Sequence, residues 1–155
     1  MKILIGVDDS AHSRAALEFV RRMKWPADSR IEVLSVARPV VATYTEAYVP
    51  APSYVEETNG EVVRRHQEIA AAAERDLQGI GLGTSARVLH GDPRTELVET
   101  ARAEGADLLV VGSHGRTGVA KLLMGSVASH VVTHAPCSVM VVKLDGPAAL
   151  RPKRP

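Results

Sequence analysis

Several features that mark large classes of protein are scarce in this sequence of 155 residues. One cysteine is present, so no disulfide can form within the chain, which fits a reducing compartment. Aromatic residues make up only 3%, and the core must therefore be built from aliphatic side chains. The formal net charge of +1 is too small to predict nucleic acid or an acidic membrane surface as the main partner.

Long apolar runs are missing as well. No stretch approaches the ~18 consecutive apolar residues that indicate a transmembrane helix. The first apolar run is short and leads directly into Asp8 and Asp9, which a secretory signal peptide would not carry. We therefore expect a soluble, cytoplasmic protein with no membrane span.

Short apolar runs alternate with helical patterns along the chain. Strands are predicted over residues 2–7, 31–37, 84–90, 107–111 and 138–143, with a helix between each successive pair. This alternation predicts one α/β domain over residues 1–144, with a doubly wound parallel sheet and helices on both faces. Such sheets bind ligands beyond the carboxyl ends of the strands, at the point where the strand order reverses.

Two segments depart from the alternation. Residues 38–54 contain three prolines and all three tyrosines, Tyr44, Tyr48 and Tyr54, and are predicted to form a long, partly ordered loop. Residues 145–155 are rich in proline and basic side chains and are predicted to be a disordered tail.

A glycine-rich stretch follows the predicted fourth strand and reads GSHGRTGVAKLLMGS over residues 112–126. Gly112 and Gly115 let the backbone turn sharply and approach a ligand closely. Ser126 is predicted to cap the last helix, and the N–H groups of a helix start suit an anion. We interpret the stretch as a phosphate cradle, although a plain turn and a capped helix would use the same residues. The stretch is not a Walker A loop, and the turn after the first strand, Gly6-Val7-Asp8-Asp9, lacks the glycines of a dinucleotide fingerprint.

Asp8 and Asp9 follow the first predicted strand. Their simplest role is to stabilise the helix that follows, because negative charge near a helix start interacts favourably with the helix dipole. A carboxylate at this end of a strand can also bind ribose hydroxyls or hold Mg²⁺ near phosphates.

Several motifs, in this order, resemble the ATP-binding branch of the universal stress protein family. They are ILIGVDDS at residues 3–10, GDP at 91–93, the G-x-x-G of 112–115 followed after nine residues by Gly125-Ser126, and APCSVMVV at 135–142. The resemblance covers residues 1 to about 143. It implies the strand order 3-2-1-4-5, with the reversal between the first and fourth strands, so that Asp8 and Gly112 share one crevice.

The resemblance also implies the ligand and its contacts. The expected cofactor is ATP, with Mg²⁺ bound by Asp8. The expected nucleotide-binding residues are Val7, Asp8, Asp9, Val36, Ala37, Gly112, Ser113, Gly115, Arg116, Gly125, Ser126 and Val127. Val36 and Ala37 enter through the resemblance alone, which places this backbone against the adenine edge.

These features predict a regulatory module that binds an adenine nucleotide and sets the conformation of the 38–54 loop for a protein partner. No candidate general base stands out, so efficient hydrolysis is not expected. The alternatives are a slow ATPase or self-phosphorylating enzyme and a nucleotide-independent interaction module. Family members pair the fifth strand across a two-fold axis, which implies a homodimer through residues 138–143, unless the tail covers that edge.

Two further candidates have simpler explanations. His130 and His134 have a metal-binding spacing, but no third ligand is evident and an ordinary helix face needs nothing more. Cys137 is interpreted as a packed thiol because the sequence places no activating base beside it.

Overall fold

The computed structural model describes residues 1–40, 52–115 and 124–144. Strands and helices alternate along these ranges, and the strands form one parallel sheet in the order β3-β2-β1-β4-β5. The α/β fold and the strand order predicted above are confirmed. The elements are β1 (Lys2–Val7), α1 (Ala11–Arg22), β2 (Arg30–Ala37), α2 (Pro52–Gln78), β3 (Gly83–His90), α3 (Pro93–Ala103), β4 (Leu108–Gly112), α4 (Ser126–His134) and β5 (Ser138–Val142).

The core lies on both faces of the sheet. Ile3 and Ile5 of β1 pack with residues of α1 and α2, whereas Leu4, between them, packs with residues of α3 and α4. Successive side chains of a strand point to opposite faces, so a strand covered on both sides must be apolar throughout. This is why the central strands appear in the sequence as continuous apolar runs.

The strand order reverses between β1 and β4. The two strands pair in parallel up to Gly6 and Val111, and β1 pairs with β2 up to Val7 and Ser35. The chain leaves β1 toward one face and leaves β4 toward the other, so the carboxyl ends of these strands border an open crevice.

Two of the described helices begin with a side-chain cap. Ser10 Oγ accepts a hydrogen bond from the Ser13 N–H at 3.1 Å at the start of α1. Asp92 Oδ1 accepts from the Arg94 N–H at 2.9 Å at the start of α3, and Pro93 is the first helical residue. Hydrogen bonds from the Arg94 side chain hold the pKa of Asp92 well below its usual range.

Helix α2 begins earlier than the sequence predicts. It starts at Pro52, a residue type suited to the first helical position, so Tyr54 lies in a helix and not in a loop. Residues 41–51 of the predicted loop, with Tyr44 and Tyr48, lie outside the described residues, as does the predicted tail, 145–155. Within the part of the chain that is described, none of the helices combines the length and apolarity that a membrane span requires.

Candidate functional site

A cavity of about 300 Å³ lies at the carboxyl ends of the strands, where the order reverses. Its volume is at the lower end of the range for small-molecule sites. Strands β1, β2 and β4, helix α2 and the starts of α3 and α4 all contribute to its wall. The predicted site residues that line it are Val7, Asp8, Val36, Gly112, Gly115, Gly125, Ser126 and Val127.

The acidic turn and the glycine turn meet at this cavity. A Cβ atom added to Gly115 would lie 2.9 Å from Asp8 Oδ2, closer than such atoms normally approach. The position of the carboxylate is fixed locally, because Asp8 Oδ1 accepts from the Ser10 N–H and the Asp8 N–H donates to Ser13 Oγ, each at 3.0 Å. The acidic turn and the glycine turn, predicted from the sequence to share one crevice, therefore border the same cavity.

Gly112 and Gly125 hold three segments of the chain close together. A Cβ atom on Gly112 would lie 2.8 Å from the backbone C and O atoms of His12 in α1. One on Gly125 would lie 3.0 Å from His114 Cα, and the Gly125 N–H donates to Ser113 O at 2.7 Å. The packing of the protein itself therefore disfavours a larger residue at Gly112 and, less strongly, at Gly125, whatever the ligand.

The start of α4 borders the cavity. The N-cap is Gly125 and not Ser126, since Gly125 has an extended backbone and its carbonyl accepts the first helical hydrogen bond, from Ser129, at 2.9 Å. The prediction that Ser126 caps this helix is therefore wrong by one position. Among the described residues no side chain caps α4, in contrast to α1 and α3. The first N–H groups of a helix have no partner within it, so this end of the cavity suits an anion.

The other end of the cavity is apolar. Val7, Leu34, Val36, Leu97 and Val111 line it. Strand β2 continues beyond its last pairing with β1 and ends at Ala37, so the backbone of its last two residues extends past β1. A flat, mostly apolar ligand group fits such a wall, with backbone groups available along one edge.

Other predicted site residues lie outside the wall that the structure describes. Asp9 forms an ion pair with Arg65 of α2. Ala37 O accepts a hydrogen bond from the Gly91 N–H at 3.1 Å, and the buried Ser113 donates its N–H to Val142 O at 2.7 Å. Arg116 lies outside the described residues.

His66 of α2 lines the cavity and was missed by the sequence analysis. It is only 5% exposed and lies on the same helix face as the buried Ala70, Ala73 and Leu77. These four residues are spaced as on a single helical face, and this spacing is the sequence pattern from which the burial of His66 could have been predicted. No site residue on α2 was predicted from the sequence.

The described residues contain no group of three or more His, Cys, Asp or Glu side chains arranged to hold a metal ion. Mg²⁺ bound to a nucleotide needs only one or two carboxylates in addition to phosphate oxygens, and Asp8 meets this requirement.

The rings of His130 and His134 stack with centroids 4.1 Å apart. Burial, with a smaller contribution from Asp107, raises the pKa of the Cys137 thiol, which is consistent with a packed side chain.

Comparisons with known proteins identify the family and the fold. The model of the universal stress protein family matches residues 1–143. Universal stress protein YxiE of Bacillus subtilis is 27% identical over 146 residues, covering 92% of this chain and 98% of that protein. The solved structure of MJ0577, a protein of Methanocaldococcus jannaschii, superposes with a TM-score of 0.81 at 25% identity, covering 94% of this chain and 97% of that one. An Arabidopsis thaliana family protein with AMP bound has a TM-score of 0.68 at 20% identity, covering 99% and 96%.

Proposed function

This chain belongs to the universal stress protein family, and we propose on that basis that it is a cytoplasmic regulatory module of the stress response that binds ATP. One observation carries the proposal. The start of α4, which no side chain caps among the described residues, borders the same cavity as Asp8 and Gly115.

The phosphates are assigned to the glycine end of the cavity. The backbone N–H groups of Ser126 and Val127, at the start of α4, would donate to phosphate oxygens, and the helix dipole would favour their negative charge. Gly115, having no Cβ, leaves its backbone open to the ligand. Val127 offers no hydroxyl, so contact at that position is limited to its backbone.

The adenine ring is assigned to the apolar end. Val7, Leu34 and Val36 would contact its faces, and backbone groups at the end of β2 would contact its edge. The AMP bound to the Arabidopsis relative supports an adenine nucleotide as the ligand class. Mg²⁺, when bound, neutralises phosphate charge, and Asp8 is the residue that would hold it.

Isothermal titration calorimetry tests this proposal. ATP is expected to bind the purified protein, and Mg²⁺ is expected to tighten binding because the Asp8 carboxylate is otherwise close to the phosphate charge. In Asp8→Asn the amide oxygen still accepts from the Ser10 N–H, so the fold is retained, but the effect of Mg²⁺ on affinity is expected to fall to near zero. Folded protein that gives no heat with ATP, with or without Mg²⁺, would contradict the proposal.

We also propose that the protein is a homodimer paired through β5. This strand is at the edge of the sheet, and Val139, Met140 and Val141 are only partly buried. An apolar edge strand exposes unpaired backbone groups and favours association. Sedimentation velocity is expected to give a dimer both for the full chain and for a chain ending at Leu144. A full-length monomer that dimerises only after this truncation would instead indicate that the tail covers the edge.

A further inference from the structure

The wall of the cavity continues past the end of β2 to Arg38. Leu34 and Val36 share one face of β2, Arg38 follows Val36 at the same two-residue spacing, and all three residues line the cavity. Every second residue of an extended chain lies on the same side, so Arg38 extends the row that forms the apolar end. A cation is thereby placed beside the apolar end of the cavity.

Asp92, at the start of α3, orients the guanidinium of Arg38. Arg38 Nη2 donates to Asp92 Oδ2 at 2.8 Å. The carboxylate is itself held in place, because Asp92 Oδ1 accepts from the backbone N–H of Arg94 at 2.9 Å and from Arg94 Nε at 3.0 Å. Arg94 Nη2 donates to Oδ2 as well, at 2.8 Å. Arg38 is therefore bonded to an anchor that does not depend on any ligand.

The bond to Asp92 uses only the edge of the Arg38 guanidinium. The N–H groups of a guanidinium lie in its plane, so a carboxylate that accepts from them leaves the two flat faces for other contacts. The Arg38 side chain is 59% exposed, which allows a ligand in the cavity to reach one of these faces. Guanidinium planes stack on nucleobases, and the cation is also attracted to the π system.

We propose that Arg38 is a specificity-determining residue of the nucleotide site and that its guanidinium stacks on the adenine ring. This inference rests on the proposed function, which assigns that ring to the apolar end of the cavity. Asp92 acts as a positioning residue, because it orients the plane of the guanidinium before the ligand binds.

The location of Arg38 favours the base over the phosphates. Strand β1 lies between β2 and β4, so the ends of β2 and β4 are about 9–10 Å apart. Asp92 comes shortly after β3, which borders β2 on its other side, and the Gly91 N–H donates to Ala37 O at 3.1 Å. The bond to Asp92 thus holds the guanidinium toward β3, away from the glycine turn and the start of α4 to which the phosphates are assigned.

Calorimetry on two arginine variants separates a contact with the base from a contact with the phosphates. Arg38→Gln removes the charge and the stacking plane but keeps an amide N–H that can donate to Asp92. Arg94→Gln is the matched control, since it removes the same charge beside the same carboxylate from a residue outside the cavity wall that the structure describes. The ligands are ATP, adenosine and inorganic tripolyphosphate. Comparison of the two variants cancels the general effect of one lost charge on an anionic ligand.

Relative to R94Q, R38Q is expected to bind ATP and adenosine more weakly by the same factor. We expect about 3- to 30-fold, the range of cation–π contacts from exposed to desolvated sites. Tripolyphosphate, which lacks the base, is expected to bind both variants equally. Equal affinities of the two variants for ATP and adenosine, or a loss in R38Q that includes tripolyphosphate, would overturn this inference alone. Wild-type protein that binds neither ATP nor adenosine would overturn the proposed function with it.

Proton NMR of the wild-type protein provides a test that needs no variant. The ring current of an aromatic base shifts protons above its face upfield. The Hδ and Hε resonances of Arg38 are therefore expected to move upfield with ATP and not with tripolyphosphate. Resonances that ATP leaves in place, or that tripolyphosphate moves as far as ATP does, would overturn the assignment even if Arg38→Gln fails to fold.

Discussion

The substitution Ser126→Asp is expected to weaken ATP binding by at least about 100-fold while leaving the protein as stable as before or slightly more stable. Ser126 is the first residue of α4, borders the cavity and has an exposed side chain, so the change removes little packing. A carboxylate in the first turn of a helix is favourable by about 0.3–1 kcal/mol. Toward a bound triphosphate the same charge is repulsive, by up to about 4 kcal/mol per pair of unit charges at 4 Å near a protein surface.

Ser126→Asn is the matched control, since its side chain has the same shape without the charge. It is expected to bind ATP within a few-fold of the wild-type affinity. Thermal unfolding measures the effect on stability, and calorimetry measures the effect on ATP binding. Only Ser126→Asp is expected to weaken ATP binding without loss of stability. Unchanged ATP affinity in Ser126→Asp would show that the phosphates do not bind at the start of α4, even if ATP binds elsewhere on the protein.

Sequence patterns predicted well the elements that depend on a few neighbouring residues in the chain. Apolar runs such as residues 2–7 indicated strands because both faces of the sheet are covered. Asp92 and Pro93 indicated a helix start because capping depends on a few adjacent residues. The strand order came only from the family resemblance, since it depends on how distant segments pack.

The errors have physical reasons as well. At Gly125-Ser126 residue type predicts the serine as the cap, but the cap position depends on the backbone conformation of Gly125, which residue type alone does not fix. The prolines before Tyr54 predict a loop at this residue, yet proline at the first helical position is favourable and the helix includes Tyr54.

Long-range contacts explain what could not be predicted at all. Asp9 pairs with Arg65, which is 56 residues away, and His66 bonds to Ser35, which is 31 residues away. Neither partner has a sequence pattern that points to the other. The helical spacing of His66 with Ala70 and Ala73 indicated only that the ring faces inward, and the cavity it faces exists only in the folded chain.

Gly112→Ala is expected to destabilise the fold by about 2–3 kcal/mol, the upper part of the usual cost of adding a carbon to a well-packed region, because the added atom meets backbone. The added Cβ would lie 2.8 Å from the backbone C and O atoms of His12. These atoms belong to helix α1 and cannot rotate away as the end of a flexible side chain can, so α1 or the glycine turn must shift. Because 1 kcal/mol corresponds to roughly 2–4 °C for a chain of this size, the midpoint of thermal unfolding is expected to fall by about 4–12 °C.

Gly60→Ala makes the same chemical change at a position where it is expected to raise the stability of the fold. Gly60 lies within α2, and among the described residues a Cβ added there meets no atom within 4 Å apart from the backbone of its own helix. Alanine in a helix interior is favoured over glycine by about 0.5–1 kcal/mol, so this variant is expected to be more stable than the wild type. The comparison separates two reasons for a glycine at position 112. If Gly112→Ala unfolds at the wild-type temperature and loses only ATP binding, the glycine serves the ligand and not the packing of α1 against β4.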